Sequence, residues 1–274
     1  MLKHEFHTPA PELKQFITGY HILQGTALEE HQKISTLSKM YILINFGDKL
    51  MARNDKVEYQ IHDIQFYGIP IKPREFGQGV PDLKIVAVEL KSEIVFSIVK
   101  ESMQDMVDQI VDSGYIHKVK YLQHLPEKLA EAVTSEERIE ILNQAFFRFF
   151  SAITIPNDPL LLLLLDSINV QRGNISNKSL TFVSGYSERN LRRKMVDKIG
   201  IPTIKYSNII RSEYVLARLL TMNEKSVLDV VHEFQYFDQS HLIHEMRKNI
   251  CMTPRQISPS TTLLSLSKVL HDRF

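Results

Sequence analysis

The sequence predicts an α+β protein of two domains, in which a β-rich domain is followed by an all-α domain. The length of 274 residues exceeds the roughly 100 to 200 residues of a single core. Residues 39–91 alternate in short apolar runs separated by turn residues, whereas the apolar period becomes helical after about residue 98. Pro156 and Pro159 interrupt this helical pattern. We therefore predict domains at residues 1–155 and 156–274.

Four runs in the first domain predict β-strands because they are rich in β-branched and aromatic residues: MYILINF, VEYQI, IQFYGI and KIVAVEL. Between the last two runs, a series of turn formers predicts one long loop. These residues are Pro70, Pro73, Gly77, Gly79 and Pro81.

The end of the first domain predicts a helical segment over about residues 100–153, with helices at 102–112, 119–133 and 136–153. The last helix carries an apolar stripe of Ile139, Leu142, Phe146 and Phe149 or Phe150. Two interpretations stay open, because a homodimer through 136–153 and a seal over the β-rich domain both demand an apolar helix face.

The second domain predicts short helices throughout. The first begins at Asp158 or Pro159 and ends near residue 170, before Gly173 and Asn174. Further helices are expected at about 177–183, from Ser187, at about 203–222, at 226–234 and at 238–250.

Two of these helices repeat at an offset of 51 residues. Leu191, Met195, Ile199 and Ile201 are matched by Leu242, Met246, Ile250 and Met252, and the N-caps Ser187 and Asp238 also match. A short helix and a brief turn precede each copy. The pattern predicts two helix-turn-helix units, at about 175–200 and 226–251, joined by one long helix.

The spacing in each copy separates a buried face from an exposed face. Burial of Leu191 and Met195 leaves three arginines exposed, which suit guanine edges and phosphates; these are Arg189, Arg192 and Arg193. Burial of Leu242 and Met246 exposes groups that hydrogen-bond but carry little charge. They are Gln239, Ser240, His241 and His244. The H-x-x-H pair lacks an evident third ligand, so we expect no metal site.

Charge is distributed unevenly along the chain. Residues 166–255 hold 14 Lys and Arg against 9 Asp and Glu, and residues 166–205 alone hold 8 against 3. Such an asymmetry predicts a polyanionic partner.

Neither a signal peptide nor a membrane span is evident, and Cys251 is the only cysteine, so we expect a cytoplasmic protein without disulfides. We interpret Cys251 as a structural residue rather than a redox or alkyl-transfer site.

Several motifs in order resemble the AraC/XylS type of bacterial transcription regulator. They are S-x-R-x-L-x-R at residues 187–193, Gly200 with Tyr206, Arg211, F-D-Q-S-H-L at residues 237–242, and Thr253-Pro254. The resemblance covers about residues 175–257. It implies sequence-specific binding of double-stranded DNA by two recognition helices in successive major grooves, and hence association with the nucleoid. It also implies that Arg189, Arg192, Arg193, Gln239, Ser240, His241 and His244 contact DNA.

The same resemblance implies a barrel-like (cupin-like) sensor in the first domain, with a small-molecule effector, a homodimer and RNA polymerase as partners to be considered. Tyr41, Tyr59, Phe66 and Tyr67 either line a ligand cavity or form core. No nucleophilic triad or glycine-rich phosphate loop is recognisable, so we expect no enzymatic activity and no cofactor.

The second unit departs from the family pattern. His244 replaces a usual arginine, Gln235 the turn glycine, Cys251 another glycine and Val231 a small alanine. We therefore expect the second unit to add less affinity than the first. The alternative function is a non-DNA-binding interaction module that retains the helical fold.

Overall fold

A computed structural model of the chain describes residues 3–25, 32–34, 38–53, 57–72, 74–76, 82–221, 227–250 and 252–257. Within these ranges the strands are β1 (Lys3–His7), β2 (Ile17–Gly25), β3 (Gln32–Ile34), β4 (Met40–Asn45), β5 (Leu50–Arg53), β6 (Glu58–Ile61), β7 (Ile64–Tyr67), β8 (Arg74–Phe76), β9 (Leu83–Leu90) and β10 (Ile110–Asp112). The four predicted strands correspond to β4, β6, β7 and β9. Strands β1, β2, β3 and β5 were not predicted from the sequence.

The strands form two antiparallel sheets. One has the order β1-β2-β9-β4-β7-β10, and the other has the order β3-β8-β5-β6. In the larger sheet Tyr41 of β4 is paired with both Glu89 of β9 and Tyr67 of β7, so these three residues share one face. That face packs with residues of the second sheet around a small core that includes Leu43, Leu50 and several neighbours. The β-rich domain is therefore barrel-like in that two sheets enclose one interior.

The opposite face of the larger sheet is covered by helix. The helices of the first domain are α1 (Leu125–Glu131) and α2 (Ser135–Ser151). Leu142, Phe146, Phe149 and Phe150 are at most 4% exposed and lie in the same core as the sheet residues Ile42 and Val88. The apolar stripe of α2 thus seals this chain's own β domain. Phe66 also belongs to this core, apart from Tyr41, Tyr59 and Tyr67.

Two local predictions in this domain were wrong. Residues 102–112 form turns that lead into β10, although Met103, Met106 and Ile110 have helical spacing. Asp108 has a φ of 58°, outside helical space, and its carboxylate accepts the backbone N–H groups of Ile71 and Lys72 at 2.7 and 3.1 Å. These bonds tie the segment to the β domain.

The expected long loop after Pro70 contains the strand β8, which pairs with β3 and β5. Pro73, Gly77, Gly79 and Pro81 lie outside the described residues. The predicted helix at 119–133 starts late, because residues 119–121 form a short 3-10 turn and α1 follows only at Leu125.

The helices of the second domain follow the prediction to within two residues at each end. They are α3 (Pro159–Val170), α4 (Asn177–Ser184), α5 (Glu188–Ile199), α6 (Thr203–Thr221), α7 (Val227–Glu233) and α8 (Gln239–Ile250). Asp158 caps α3, and Gly173 beyond its end has a φ of 74°. Cys251 lies outside the described residues. None of the helices in the described ranges combines the length and apolarity that a membrane crossing requires.

One apolar core runs through both parts of the chain. It extends from the larger sheet and α2 through α3 to Leu191 and Met195 of α5 and Ile209 and Ile210 of α6. The second half of α6 instead packs with α7 and α8 around Leu216, Val230 and Leu242. The first helix-turn-helix unit is therefore built onto the same core as the β domain.

Candidate nucleic-acid interface

Helices α4 and α5 form the first helix-turn-helix unit. Helix α4 ends at Gly185, whose φ of 74° lies in the left-handed region that glycine adopts without strain. Helix α5 is capped by Ser187, whose hydroxyl accepts the backbone N–H of Asn190 at 3.4 Å. The turn between the helices therefore spans residues 185–187. This confirms the predicted N-cap and the start of the recognition helix.

Helix α5 has the two faces that its sequence predicts. Leu191, Met195 and Ile199 are at most 1% exposed. The opposite face exposes Arg189, Arg192 and Arg193. These arginines, with Asn190 and Val196, line a groove of about 530 Å³ along the helix. One wall of that groove comes from Gln104 of the first domain, which the sequence analysis did not identify.

The two lysines of α5 each have a charged partner within the chain. Lys194 Nζ lies 2.8 Å from a carboxylate oxygen of Asp158. Lys198 lies 3.0 Å from Asp197, and its Nζ sits 4.1 Å from the centre of the Phe96 ring. Within the described ranges, by contrast, no ion pair involves Arg189, Arg192 or Arg193. Their guanidinium groups are therefore available to an outside anion.

Helices α7 and α8 form the second unit. Leu242 and Met246 are buried at 0% and 1%, and Gln239, Ser240, His241 and His244 are exposed. Asp238 caps α8, since its carboxylate accepts the backbone N–H of His241 at 2.7 Å. The structure thus exposes all seven residues predicted to contact DNA, three on α5 and four on α8.

His241 also has a role within the turn. Its Nδ1 accepts the backbone N–H of Phe237 at 3.4 Å, and its ring meets that of Tyr236 edge-on at 5.3 Å. His244 is exposed one helical turn further on, and Arg247 follows at the next i+3 position, also exposed. Arg247 is a cation that the sequence analysis missed, although its spacing from His244 places it on the same side of α8.

Contacts around α6 hold the second unit in place. Glu233 at the end of α7 accepts from Arg172, which lies between α3 and α4, at 3.1 Å and from Arg218 of α6 at 2.8 Å. Asn249 of α8 donates to Ser212 of α6 at 2.8 Å in a buried position. These bonds attach α7 and α8 to the connecting helix.

The first domain contacts the first helix-turn-helix unit and the connecting helix α6 directly. Gly200, at the end of α5, has a φ of 94°, and a Cβ there would lie 2.3 Å from the carbonyl oxygen of Met103. On α6, the hydroxyl of Tyr206 lies 3.4 Å from that of Ser92. Both Gly200 and Tyr206 are among the residues on which the family resemblance rests, and both make contacts between the two domains.

No protein-family model and no curated protein matches the sequence. Solved structures of ToxT from Vibrio cholerae do match it in fold. The P21 form is 13% identical with a TM-score of 0.51, and the alignment covers 90% of this chain and 98% of that chain. The O395 structure is 12% identical with a TM-score of 0.52, covering 92% and 99%. ToxT from strain SCE256 bound to an unsaturated fatty acid is 11% identical with a TM-score of 0.53, covering 90% and 96%.

At these identities the likeness shows a shared fold. ToxT is an AraC-family regulator, and the alignments span nearly its whole length. The resemblance that the sequence motifs indicate is therefore confirmed in the architecture: this chain has the two-domain fold of an AraC/XylS-type regulator.

Proposed function

We propose that this chain is a sequence-specific DNA-binding transcription regulator, which acts on the nucleoid and uses α5 as its main recognition helix. The observation that carries the proposal is the exposed face of α5. Arg189, Arg192 and Arg193 stand on it without an ion pair to any described residue, whereas the neighbouring lysines are partnered. Arginines displayed in this way suit phosphates and the O6 and N7 atoms of guanine.

The connecting helix supports placement of two units on one face of DNA. Helix α6 has 19 residues, which corresponds to about 28 Å at 1.5 Å per residue. Adjacent major grooves on one face are about 34 Å apart. The bonds of Glu233 and Asn249 attach the second unit to this helix. We propose that α5 and α8 enter successive major grooves.

The two units contribute unequally in this proposal. The exposed face of α8 offers Gln239, Ser240 and His244, which hydrogen-bond to base edges or phosphates but are neutral or weakly basic. The Nδ1 atom of His241 already accepts a hydrogen bond from Phe237 in the turn that precedes α8, so it is not free to contact DNA. The first unit therefore supplies most of the electrostatic affinity.

We further propose that a small-molecule effector at the first domain controls DNA binding. The β domain contacts α5 and α6 through Met103, Phe96 and Ser92, so a change in its packing reaches the recognition helix. ToxT, which shares the fold, has been seen with an unsaturated fatty acid and with a substituted butenoic acid bound. The stripe of α2 is buried, so a homodimer through 136–153 would use the opposite face of that helix.

The test begins with selection of duplexes from a random pool by the full chain, followed by gel-shift titration of the selected duplex. We expect replacement of both Arg192 and Arg193 by Ala to abolish binding. Arg148→Ala, at an exposed arginine of α2, is the matched control and should bind like the parent. We also expect log K to fall steeply with log salt, by about 0.9 per phosphate contact.

The alternative, a module that binds no DNA, makes the opposite prediction. It would give no enrichment in the selection and a flat salt response. Equal binding by the parent and the double arginine variant would also contradict the proposed reading face.

A further inference from the structure

Phe237 stands directly before the second recognition helix and is 92% exposed, although the residues on either side of it are held in place. Tyr236 is 6% exposed and packs in the core of the second unit, where the guanidinium of Arg211 lies 4.5 Å from its ring centre. Asp238 caps α8 through the backbone N–H of His241 at 2.7 Å. The side chain of Phe237 is therefore presented to solvent from a firmly held turn.

Packing within the chain does not account for a phenylalanine at this position. An apolar residue just before an N-cap often packs against the fourth residue of the helix and so fixes the entry of the chain. The fourth residue of α8 is Leu242, which is fully buried in the core of the second unit. At 92% exposure, Phe237 makes at most a small contact of this kind. Single exposed apolar residues are common on protein surfaces, so the place of Phe237 relative to α8 decides whether it has a role.

The first unit carries an aromatic residue at the equivalent position. Tyr186 stands directly before the cap Ser187 as Phe237 stands before the cap Asp238, at the same offset of 51 residues. Tyr186 is 49% exposed and lines a cleft of about 790 Å³ together with Arg193 of α5. The aromatic side chain before the first recognition helix thus lies on the side that carries the arginines.

The repeat places Phe237 on the corresponding side of α8. Gln239, Ser240 and His244 are exposed on that helix and offer hydrogen-bonding groups, to which Phe237 adds an apolar group. The N-terminal residues of a recognition helix are the ones that contact base edges in the major groove. An aromatic ring at this end of α8 would therefore meet bases if the helix enters the groove.

We propose that Phe237 contacts the C5-methyl group of a thymine in the major groove and so determines base specificity in the half-site of the second unit. The inference rests on the proposed function, because it requires α8 to enter a major groove. The thymine methyl is the apolar group that base edges present there, and phenylalanine is among the side chains that contact it. The second unit then selects its half-site through an apolar contact and hydrogen bonds, which explains how a face with little charge still reads sequence.

The experiment is a double-mutant cycle in gel-shift titrations of the full chain on the duplex selected from a random pool. Each thymine of that duplex is replaced in turn by uracil, which lacks only the methyl group. We expect one replacement to weaken binding by the parent about fourfold, since a buried group of this size contributes about 0.8 kcal/mol.

Phe237→Ala should bind the thymine duplex about tenfold more weakly than the parent, because the whole ring is lost from the contact. It should bind the thymine duplex and the critical uracil duplex equally. The slope of log K against log salt should not change, since a phenyl ring carries no charge and releases no counterion. An altered slope with the uracil response intact would overturn the methyl contact.

Phe182→Ala is the matched control, because Phe182 of α4 is a second phenylalanine with 90% exposure. This variant should keep the parent's response to uracil, and both variants should melt at the temperature of the parent. Parent-like DNA binding by Phe237→Ala would overturn the inference and would favour a protein partner for the ring. A parent that responds to uracil at no thymine would also overturn it, with DNA binding intact. A parent that binds no duplex would instead overturn the proposed function, and this inference with it.

Discussion

Ser38 of the β domain donates both its backbone N–H and its hydroxyl to the carboxylate of Glu213, at 2.6 and 2.9 Å. Glu213 lies on α6 and is 5% exposed, and Ser38 is fully buried. The two residues are 175 positions apart in the sequence. Their bonds attach the β domain to the helix that connects the two helix-turn-helix units.

Removal of this carboxylate should destabilise the chain. In Glu213→Ala the N–H and hydroxyl of Ser38 lose their acceptor in a buried setting, at a cost of about 1–3 kcal/mol for each unsatisfied donor. We expect the free energy of unfolding in urea to fall by at least about 2 kcal/mol. Glu101→Ala, at an exposed acid of the same domain, is the control and should change stability by less than about 0.5 kcal/mol. Similar losses in the two variants would show that the Ser38 contact contributes little.

Gly185 and Gly200 allow the cost of backbone strain to be distinguished from the cost of disturbing a contact between the domains. Gly185 and Gly200 both have left-handed φ values, 74° and 94°. A Cβ at Gly185 would meet nothing within 4 Å, whereas one at Gly200 would lie 2.3 Å from Met103 O and 2.8 Å from Val107 Cγ2. Each change to Ala costs about 1–2 kcal/mol in strain. We expect Gly200→Ala to lower the melting temperature clearly more than Gly185→Ala does, because only Gly200→Ala also pushes the first domain away from α5. Equal shifts would argue against a tight contact.

Features that depend on the spacing of residues close together in the sequence could be predicted. The i, i+4 pair Leu191 and Met195, together with the cap Ser187, was enough to place α5 and to identify its exposed arginines. The same spacing rule failed at Met103 and Met106, because bonds from Ile71 and Lys72 to Asp108 hold that segment against the β domain. Such bonds join residues far apart in the sequence.

The burial of Arg74 could not be predicted from the sequence for the same reason. Its burial depends on β8 pairing with β5 and on Tyr59 and Tyr67 lying on either side of the guanidinium. Turn formers around this residue indicated a loop, in which an arginine would be expected to be exposed. The aromatic residues were recognised as candidates for a cavity, but nothing local in the sequence places a cation among them.

An added cation on α8 should strengthen the second unit. In the proposed complex His244 faces DNA, so His244→Arg, which brings a guanidinium to this position, should add a phosphate contact. We expect the slope of log K against log salt to become steeper by about 0.9, with tighter binding at low salt. Gln144→Arg, on the exposed side of α2, adds the same charge elsewhere and should leave the slope unchanged. An unaltered slope in His244→Arg would mean that α8 does not lie against the DNA backbone at this position.

The ionisation of Asp158 should make the stability of the folded chain depend on pH. Burial disfavours its charged form, but the ammonium of Lys194 and the backbone N–H of Leu161 outweigh that effect, so the pKa of Asp158 is lowered. A lowered pKa in the folded chain gives a stabilisation that is complete above the unfolded value of about 3.9 and is lost as pH falls through the folded value. Asp158→Asn keeps a capping side chain, so it should cost about 0.5–1 kcal/mol near pH 7, and the difference should shrink as pH falls below about 4. Urea unfolding of both proteins between pH 3 and 7 measures this. A difference that stays constant across the range would contradict a role for the charge.

The turn of the second unit holds a residue in a conformation that suits glycine. Gln235 has a φ of 53° and is exposed, and it stands where the family pattern has a glycine. A non-glycine residue there costs about 1–2 kcal/mol, of which the greater flexibility of glycine in the unfolded chain returns roughly half. We therefore expect Gln235→Gly to stabilise the chain by about 0.5–1 kcal/mol in urea unfolding.

Gln123→Gly is the matched control for Gln235→Gly. Gln123 is an exposed turn residue that is absent from the positive-φ positions of the described chain, so glycine there relieves no strain and adds unfolded-state flexibility. It also removes the exposed hydrogen bond between the side chains of Gln123 and His124. This variant should lose stability while Gln235→Gly gains it. If both variants lose stability to the same extent, the left-handed conformation of Gln235 does not destabilise the fold. If Gln235→Gly gains stability and DNA affinity is unchanged, the departure from the glycine pattern has not altered the placement of α8.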